Sequence, residues 1–135
     1  MLQAKFQPTL MISSLRLTQD GTIAHRDLNH HRSIVRVLQC LIITRSKLSF
    51  FVNKVCQFIH VSQEHHYKAV KWILCYVADT LHHGLILKPS PSLSIIGFSN
   101  SDWVLDLDDE RSTGGYCVYL GKNFISWVSR KQKVV

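Results

Sequence analysis

The sequence lacks several features that define common classes of small protein. Its four cysteines lie far apart and none forms a C-x-x-C pair, so their spacing supports no zinc site. Arg36 and Gln39 interrupt the longest apolar stretch, which is well short of the roughly 18 residues of a membrane span. The N-terminus has no positive, apolar and small-residue regions like those of a secretory signal. We therefore expect an intracellular chain, of unassigned compartment, without a transmembrane segment.

Acidic residues are also scarce, and this gives the chain its charge. Sixteen Lys and Arg residues stand against nine Asp and Glu residues, for a formal net charge of +7. Such a balance is typical of proteins that contact nucleic acid, although a merely solvated basic surface would look the same. The eight histidines include three adjacent pairs, whose members point to different faces of a helix. We therefore do not expect them to bind metal, and we expect the cysteines to be buried thiols.

The period of the hydrophobic residues changes once along the chain. Between about residues 30 and 80 it is helical, with one apolar stripe over Ile34, Val37, Leu38 and Leu41 and a second over Phe51, Val55 and Phe58. A third stripe comprises Tyr67, Val70, Leu74, Val77 and Leu81. Ser62 is the predicted N-cap of the third helix. The pattern predicts three helices whose stripes pack in a core.

After His83 the pattern is that of short strands. It predicts strands at 84–88, 93–102, 115–120 and 123–129, with a Pro-Ser-Pro-Ser breaker after the first. Residues 121–123 are a predicted tight hairpin, and residues 106–112 a polar loop. The sequence thus predicts an antiparallel meander of strands.

Three segments of this strand region resemble a known family. They are I-G-F-S-N-S-D-W at 96–103, R-S-T-G-G-Y at 111–116 and F-I-S-W-V-S-R-K-Q at 124–132. They resemble the opening of the ribonuclease H domain in the Pol polyproteins of copia-type LTR retrotransposons, which reads Y-S-D-A-D-W-A-G, R-S-T-S/G-G-Y and I-S-W-x-S-K-K-Q. Earlier segments resemble the region that follows the polymerase in these elements, with Q-P-T-L-M-I-S-S-L-R-L at 7–17 similar to P-T-P-M-x-S-S-L-K-L. The segment H-Y-K-A-V-K at 66–71 is similar to the family's H-W-K-A-V-K.

The resemblance implies that a catalytic residue has been replaced. Asn100 occupies the position of the family's first metal-binding Asp. A neutral amide oxygen does not supply the charge that a carboxylate gives to a two-metal site. The resemblance also places the polymerase aspartates and the later ribonuclease H acids outside these 135 residues. Neither catalytic centre is therefore expected in this chain.

Asp102 is the one candidate that could replace the lost carboxylate. The two-residue period of a strand puts it on the same face as Asn100, but two strand steps displace a side chain by about 6.6 Å. Metal–oxygen bonds of about 2.0–2.5 Å do not tolerate that displacement. Asp106, Asp108 and Asp109 form an acidic turn, for which we expect solvation and at most weak cation binding.

Other departures from the family pattern resemble drift. Trp72 and Cys75 stand where the family has arginines, so a phosphate-facing helix surface has fewer cations. Arg36 stands where a family glycine would allow close helix packing. Leu105 also replaces a glycine. Each change is tolerable alone, and together they indicate relaxed constraint.

We therefore expect an α+β chain with a helical connector followed by an antiparallel strand meander, an incomplete ribonuclease H-like fold. Residues 1–83 would be the post-polymerase helical connector and residues 84–135 a truncated ribonuclease H-like segment. The expected function is that of a degenerate Pol fragment that is not an enzyme. It would have no catalytic residue, no metal ligand and no cofactor, although the family would use magnesium.

Two alternatives remain open. The first is a non-catalytic module that binds nucleic acid weakly, for instance an RNA–DNA hybrid, through a basic surface. Its expected phosphate contacts are Lys54, Lys68, Lys71, Arg130, Lys131 and Lys133. The second is a nuclease completed by a partner that supplies the missing acids. We expect no membrane partner, and we expect self-association through an unpaired sheet edge.

Overall fold

The computed structural model describes residues 17–18, 27–60, 63–102 and 111–133. The chain divides into two compact units, the first ending at His83 and the second beginning at Gly84. Among the described residues, three α-helices lie in the first unit and three antiparallel strands in the second. The predicted α+β class, with helices followed by a strand meander, is confirmed.

The helices begin and end at positions that local chemistry explains. Helix α1 spans Leu28–Leu41, and its first turn is capped by Asp27, whose Oδ1 accepts the N–H of His30 at 2.9 Å. A short 3-10 helix at Ser46–Leu48 leads into α2, which spans Ser49–Cys56. Helix α3 spans Glu64–Asp79.

The core of the first unit is apolar and includes one residue from the segment before α1. Its members are Leu17, Val35, Leu38, Leu48, Val52, Val55, Phe58, Ala69, Val70 and Ile73. The predicted stripe on α1 was partly wrong, because the side chain of Val37 is 61% exposed. The buried residues of α1 are His31, Val35 and Leu38, at i, i+4 and i+7. Because His31 is buried, the inward face of α1 differs from the purely apolar stripe that the sequence predicted.

The buried residues of α3 also differ from the apolar stripe that the sequence predicted. Its buried residues are His66, Ala69, Val70 and Ile73, whereas Leu81 lies beyond the helix and is 67% exposed. The predicted cap at Ser62 was also wrong. The N-cap is Gln63, whose backbone N–H donates to Nδ1 of His66 at 3.1 Å.

Arg45 holds the other end of α3. Its Nη1 donates to Oγ1 of Thr80 at 3.1 Å, and its Nη2 donates to the carbonyl of Leu81 at 3.2 Å. A guanidinium satisfies the unpaired acceptors of a helix C-terminus and complements the negative end of the helix dipole. The turn after α1 is thereby fixed to the end of α3.

The second unit is a three-stranded antiparallel sheet in the order β1-β2-β3. Strand β1 spans Ile95–Asp102, β2 spans Thr113–Leu120 and β3 spans Asn123–Lys131. The predicted strand at 84–88 was wrong, because this stretch is extended but joins no sheet in the described structure. The backbone N–H and carbonyl of Lys88 instead bind the side-chain amide of Asn123, at 2.7 and 2.8 Å. The predicted loop at 106–112 lies largely outside the described residues.

The hairpin between β2 and β3 contains a turn and a bulge. Gly121 has a φ of 58°, which favours glycine, and its N–H donates to the carbonyl of Ser94 at 2.7 Å. Val118 pairs with Ser126 and Tyr119 with Phe124, which leaves Ile125 as the extra residue of a β-bulge. The bulge changes the alternation of β3, so Phe124 and Trp127 stack with ring centroids 4.8 Å apart.

Candidate functional site

Asn100 lies near the end of β1 and is exposed. Its partner across the ladder is Gly115 on β2, which in turn pairs with Ser129 on β3. The Oδ1 atom of Asn100 accepts the backbone N–H of Ser101 at 2.9 Å. The amide oxygen, at the position where the sequence resemblance implies a carboxylate, is thus engaged by the chain's own backbone.

The residues around Asn100 do not fit a magnesium site. Magnesium prefers carboxylate oxygens in an octahedral arrangement and is usually held by at least one or two acids. In the part of the chain that the structure describes, no group of three His, Cys, Asp or Glu residues could hold a metal ion. Asn100 and its row partner Ser129 contribute only neutral amide and hydroxyl oxygens to this sheet surface.

Of the acidic residues that follow Asn100, the structure describes Asp102 but not those at 106 and 108–110. Asp102 is the last residue of β1 and pairs with Thr113. The predicted acidic turn, together with Leu105, lies outside the described residues. Because β1 ends at Asp102 and β2 begins at Thr113, the intervening segment joins the strands at the sheet end where Lys131 pairs with Thr113.

One face of the sheet carries a connected group of aromatic rings. The ring centroids of Phe98 and Tyr119 are 6.2 Å apart, and those of Tyr119 and Phe124 are 5.0 Å apart. The stacked pair of Phe124 and Trp127 continues the group. Phe98 is 60% exposed, and no residue after His83 whose burial is described is fully buried. The described residues of the second unit therefore do not by themselves supply the covering layer that a sheet normally has in a complete domain.

The predicted phosphate contacts of the first unit lie on two helices. Lys54 is half-buried near the end of α2, whereas Lys68 and Lys71 are exposed on α3. The Nζ of Lys71 lies 4.8 Å from the ring centroid of Tyr67, within the range of a cation–π contact. Lys68 and Lys71 are three residues apart, so they are neighbours on the helix surface.

The predicted phosphate contacts of the second unit do not share one surface. Arg130 and Lys131 are adjacent in β3, and successive side chains of a strand point to opposite faces of the sheet. Arg130 is exposed, whereas Lys131 is half-buried, and Lys133 follows the strand. These three cations are therefore less suited than the α3 pair to contact neighbouring phosphates together.

One of the three adjacent histidine pairs, for which the sequence predicted no metal binding, organises the start of α3. The Nε2 atoms of His65 and His66 lie 3.2 and 3.0 Å from the carbonyl oxygen of Thr18. The ring of His66 stacks on Phe58 at 4.2 Å between centroids and is fully buried. The position of His66 three residues after Gln63 was the available sequence signal, because a side chain there can accept the N–H of the cap residue.

The cysteines differ from the expectation of buried thiols. Cys40 is exposed, while Cys56, Cys75 and Cys117 are half-buried, and all four are free. Burial raises the pKa of the Cys56 thiol, and the hydrogen bond from Gln39 at 3.1 Å partly opposes this rise. A raised pKa lowers the thiolate fraction, so Cys56 is poorly suited to act as a nucleophile.

Comparison with known proteins places the chain among transposon proteins. It is 44% identical over all 135 residues to the retrovirus-related Pol polyprotein from transposon RE2 of Arabidopsis thaliana, and 44% identical to that from transposon RE1. It is also 39% identical, over 85% of its length, to an uncharacterized mitochondrial protein of the same plant, of which it spans 48%. The chain spans 9% of each Pol polyprotein.

No family model matches the chain, and no solved structure gives a significant match. In the described part of the chain, no helix combines the length and the apolar character needed to cross a membrane.

Proposed function

This chain belongs to the retrovirus-related Pol polyproteins of copia-type transposons, and we propose that it is a degenerate segment that has lost catalytic function. The observation that carries the proposal is the state of Asn100. Its side chain replaces a charged metal ligand with a neutral amide, and that amide binds the backbone of Ser101. The family chemistry requires two hard cations about 3.5–4 Å apart, held by several carboxylates.

The proposal is tested by assaying the purified chain for both activities of its family. We expect no cleavage of an RNA–DNA hybrid and no primer extension with magnesium or manganese, because Asn100 carries no charge and no group of three His, Cys, Asp or Glu residues in the described structure could hold a metal ion. A protein of similar charge without a nuclease site provides the background. Metal-dependent cleavage above that background would overturn the proposal.

A second candidate function is nucleic-acid binding without catalysis, and the distribution of charge supports it. Ten of the sixteen Lys and Arg residues precede Gly84, together with only four of the nine acidic residues. In the second unit, by contrast, four acidic residues at 106 and 108–110 lie in the segment between β1 and β2. That segment meets the sheet at the end where Arg130 and Lys131 lie. We therefore place the binding surface on α3, around Lys68 and Lys71.

Fluorescence anisotropy with an RNA–DNA hybrid at two salt concentrations tests this second function. If α3 binds phosphates, affinity falls with salt, and replacing Lys68 and Lys71 by Ala reduces the salt slope by about 1 for each phosphate that is no longer neutralised. Lys122→Ala is the matched control, because Lys122 is exposed in the hairpin turn and outside the proposed surface. Absence of binding at low salt would exclude the second function, and an equal effect of Lys122→Ala would refute its location on α3.

A further inference from the structure

The N-cap of α3 depends on a ring nitrogen of His66 that carries no proton. The N–H of Gln63 donates to Nδ1 of His66 at 3.1 Å. A ring nitrogen accepts a hydrogen bond only when it carries no proton, so Nδ1 is bare and the proton of the neutral ring lies on Nε2. The Nε2 atom faces the carbonyl of Thr18 at 3.0 Å, and a carbonyl can only accept. The hydrogen bonds thus select one tautomer of His66.

The same histidine fixes the segment before α1. Thr18 accepts from His66, and the Nε2 of His65 lies 3.2 Å from the same carbonyl. Leu17, the preceding residue, is buried in the core of the first unit with 5% of its surface exposed. His66 is itself fully buried and stacked on Phe58. A change at this ring is therefore transmitted both to the helix start and to the core contact of Leu17.

Protonation of His66 is incompatible with this arrangement for two reasons. A proton on Nδ1 would face the N–H of Gln63, so the cap bond would become a contact between two donors. A positive charge in the first turn of α3 would also lie at the positive end of the helix dipole. Both effects favour movement of the ring out of its buried position, and the hydrogen bond from His66 to Thr18 would then break.

Several ionisable groups lie on the helices that pack near the ring of His66. His65 lies on the same helix with its ring centroid 4.0 Å from that of His66, and Glu64 is exposed in the same turn. On α1, the ring centroid of His31 lies 6.2 Å from that of Tyr67, the residue after His66. The Nε of Arg32 donates to the carbonyl of Ile59, the residue after Phe58. Cys56 precedes Phe58 at the end of α2.

We propose that His66 is an acid-sensitive latch that docks the Leu17–Thr18 segment onto the start of α3. Neutral His66 holds the segment and caps the helix, and the protonated ring releases both. His65 strengthens the docking through the same carbonyl but does not cap the helix. The latch is a conformational device of the helical unit and is independent of the proposed function.

Two measurements on the full chain test the latch. Long-range proton–nitrogen NMR correlations at neutral pH report the tautomer, and we expect Nε2–H with a bare Nδ1 for His66. Hydrogen exchange, corrected for its intrinsic pH dependence, reports docking. We expect protection at residues 17–18 and 63–67 to fall about tenfold between about pH 7.5 and about pH 5, the range in which imidazole ordinarily titrates.

Two variants separate the latch from a general acid effect. His66→Phe keeps an aromatic ring against Phe58 but removes the acceptor, so protection should be low at both pH values. His65→Phe is the matched control, which keeps the cap and should therefore keep the pH response. An Nδ1–H tautomer for His66, unchanged protection at about pH 5, or loss of the response only in His65→Phe would overturn the proposal. The tautomer is measured in the unsubstituted chain and does not depend on the folding of either variant.

Discussion

Gly121 is the position where a single added methyl group should cost most in the sheet. Its φ of 58° is strained for any residue with a Cβ, and a Cβ there would collide with Ser90 and with the carbonyl of Ser92. We expect Gly121→Ala to lower the free energy of unfolding by about 1–2 kcal/mol or more.

Gly97 provides the control for this prediction. It is exposed on β1, and a Cβ there would meet no atom within 4 Å. Gly97→Ala should change the free energy of unfolding by no more than about 0.5 kcal/mol. Thermal melts followed by circular dichroism compare the two variants. Equal effects would show that the turn geometry at Gly121 is not what holds the hairpin.

The residue scale also shows why the sequence located the helices but not their inward faces. Apolar spacing identified all three helices, because enough Val, Leu and Ile residues recur at helical intervals. The prediction counted only apolar residues, whereas His31 and His66 are fully buried. When His31 and His66 are counted as inward-facing residues, the buried residues of α1 and α3 recur at helical intervals. Their burial depends on partners such as Thr18, which lies 48 residues before His66 and has no local signal.

At the scale of elements, two strands lie at the edges of the described sheet. Strand β2 pairs with β1 on one side and with β3 on the other, so β1 and β3 are its edge strands. Exposed large apolar side chains are concentrated in this unit, including Ile95, Ile96 and Phe98 on β1. Open edges beside apolar side chains are a template for pairing with other chains.

We therefore predict that the chain self-associates through this sheet. Sedimentation and thermal melts should depend on protein concentration, and Ile95→Lys should weaken the association, because a lysine on an edge strand opposes pairing. Val37→Lys makes the same change at an exposed position of α1 and should leave association unaltered. A sharp melt of a monomer, independent of concentration, would contradict the prediction.

At the same scale, the stretch at 84–88 shows how a strand prediction from local sequence can be wrong. Its short continuous apolar run, at residues 85–87, is consistent with a strand, yet a strand needs a neighbour with free backbone groups. Here the side-chain amide of Asn123 takes both backbone groups of Lys88. Pro89 follows directly and donates no hydrogen bond to a ladder. The sequence contains the strand propensity but not the identity of this competing partner.

At the scale of the whole chain, the sequence predicted the fold class well because the hydrophobic period changes abruptly near His83. Family membership was also predictable, since ordered motifs extend over most of the chain, and it is confirmed by 44% identity over all 135 residues to a segment of each of two Pol polyproteins. The candidate phosphate contacts were less predictable. Positive charge alone identified these residues in the sequence. It does not reveal that successive side chains of a strand point to opposite faces of the sheet, which separates Arg130 from Lys131.

The central proposal is that these 135 residues alone do not build a two-metal site, even with an acid restored at position 100. The variant Asn100→Asp, in the unextended chain, tests this most directly. We predict that it neither binds magnesium or manganese at the sheet nor cleaves an RNA–DNA hybrid, because one restored carboxylate does not fix two cations about 3.5–4 Å apart. Activity should require Asn100→Asp together with the downstream segment that the family supplies. Hybrid cleavage by Asn100→Asp alone would contradict the account.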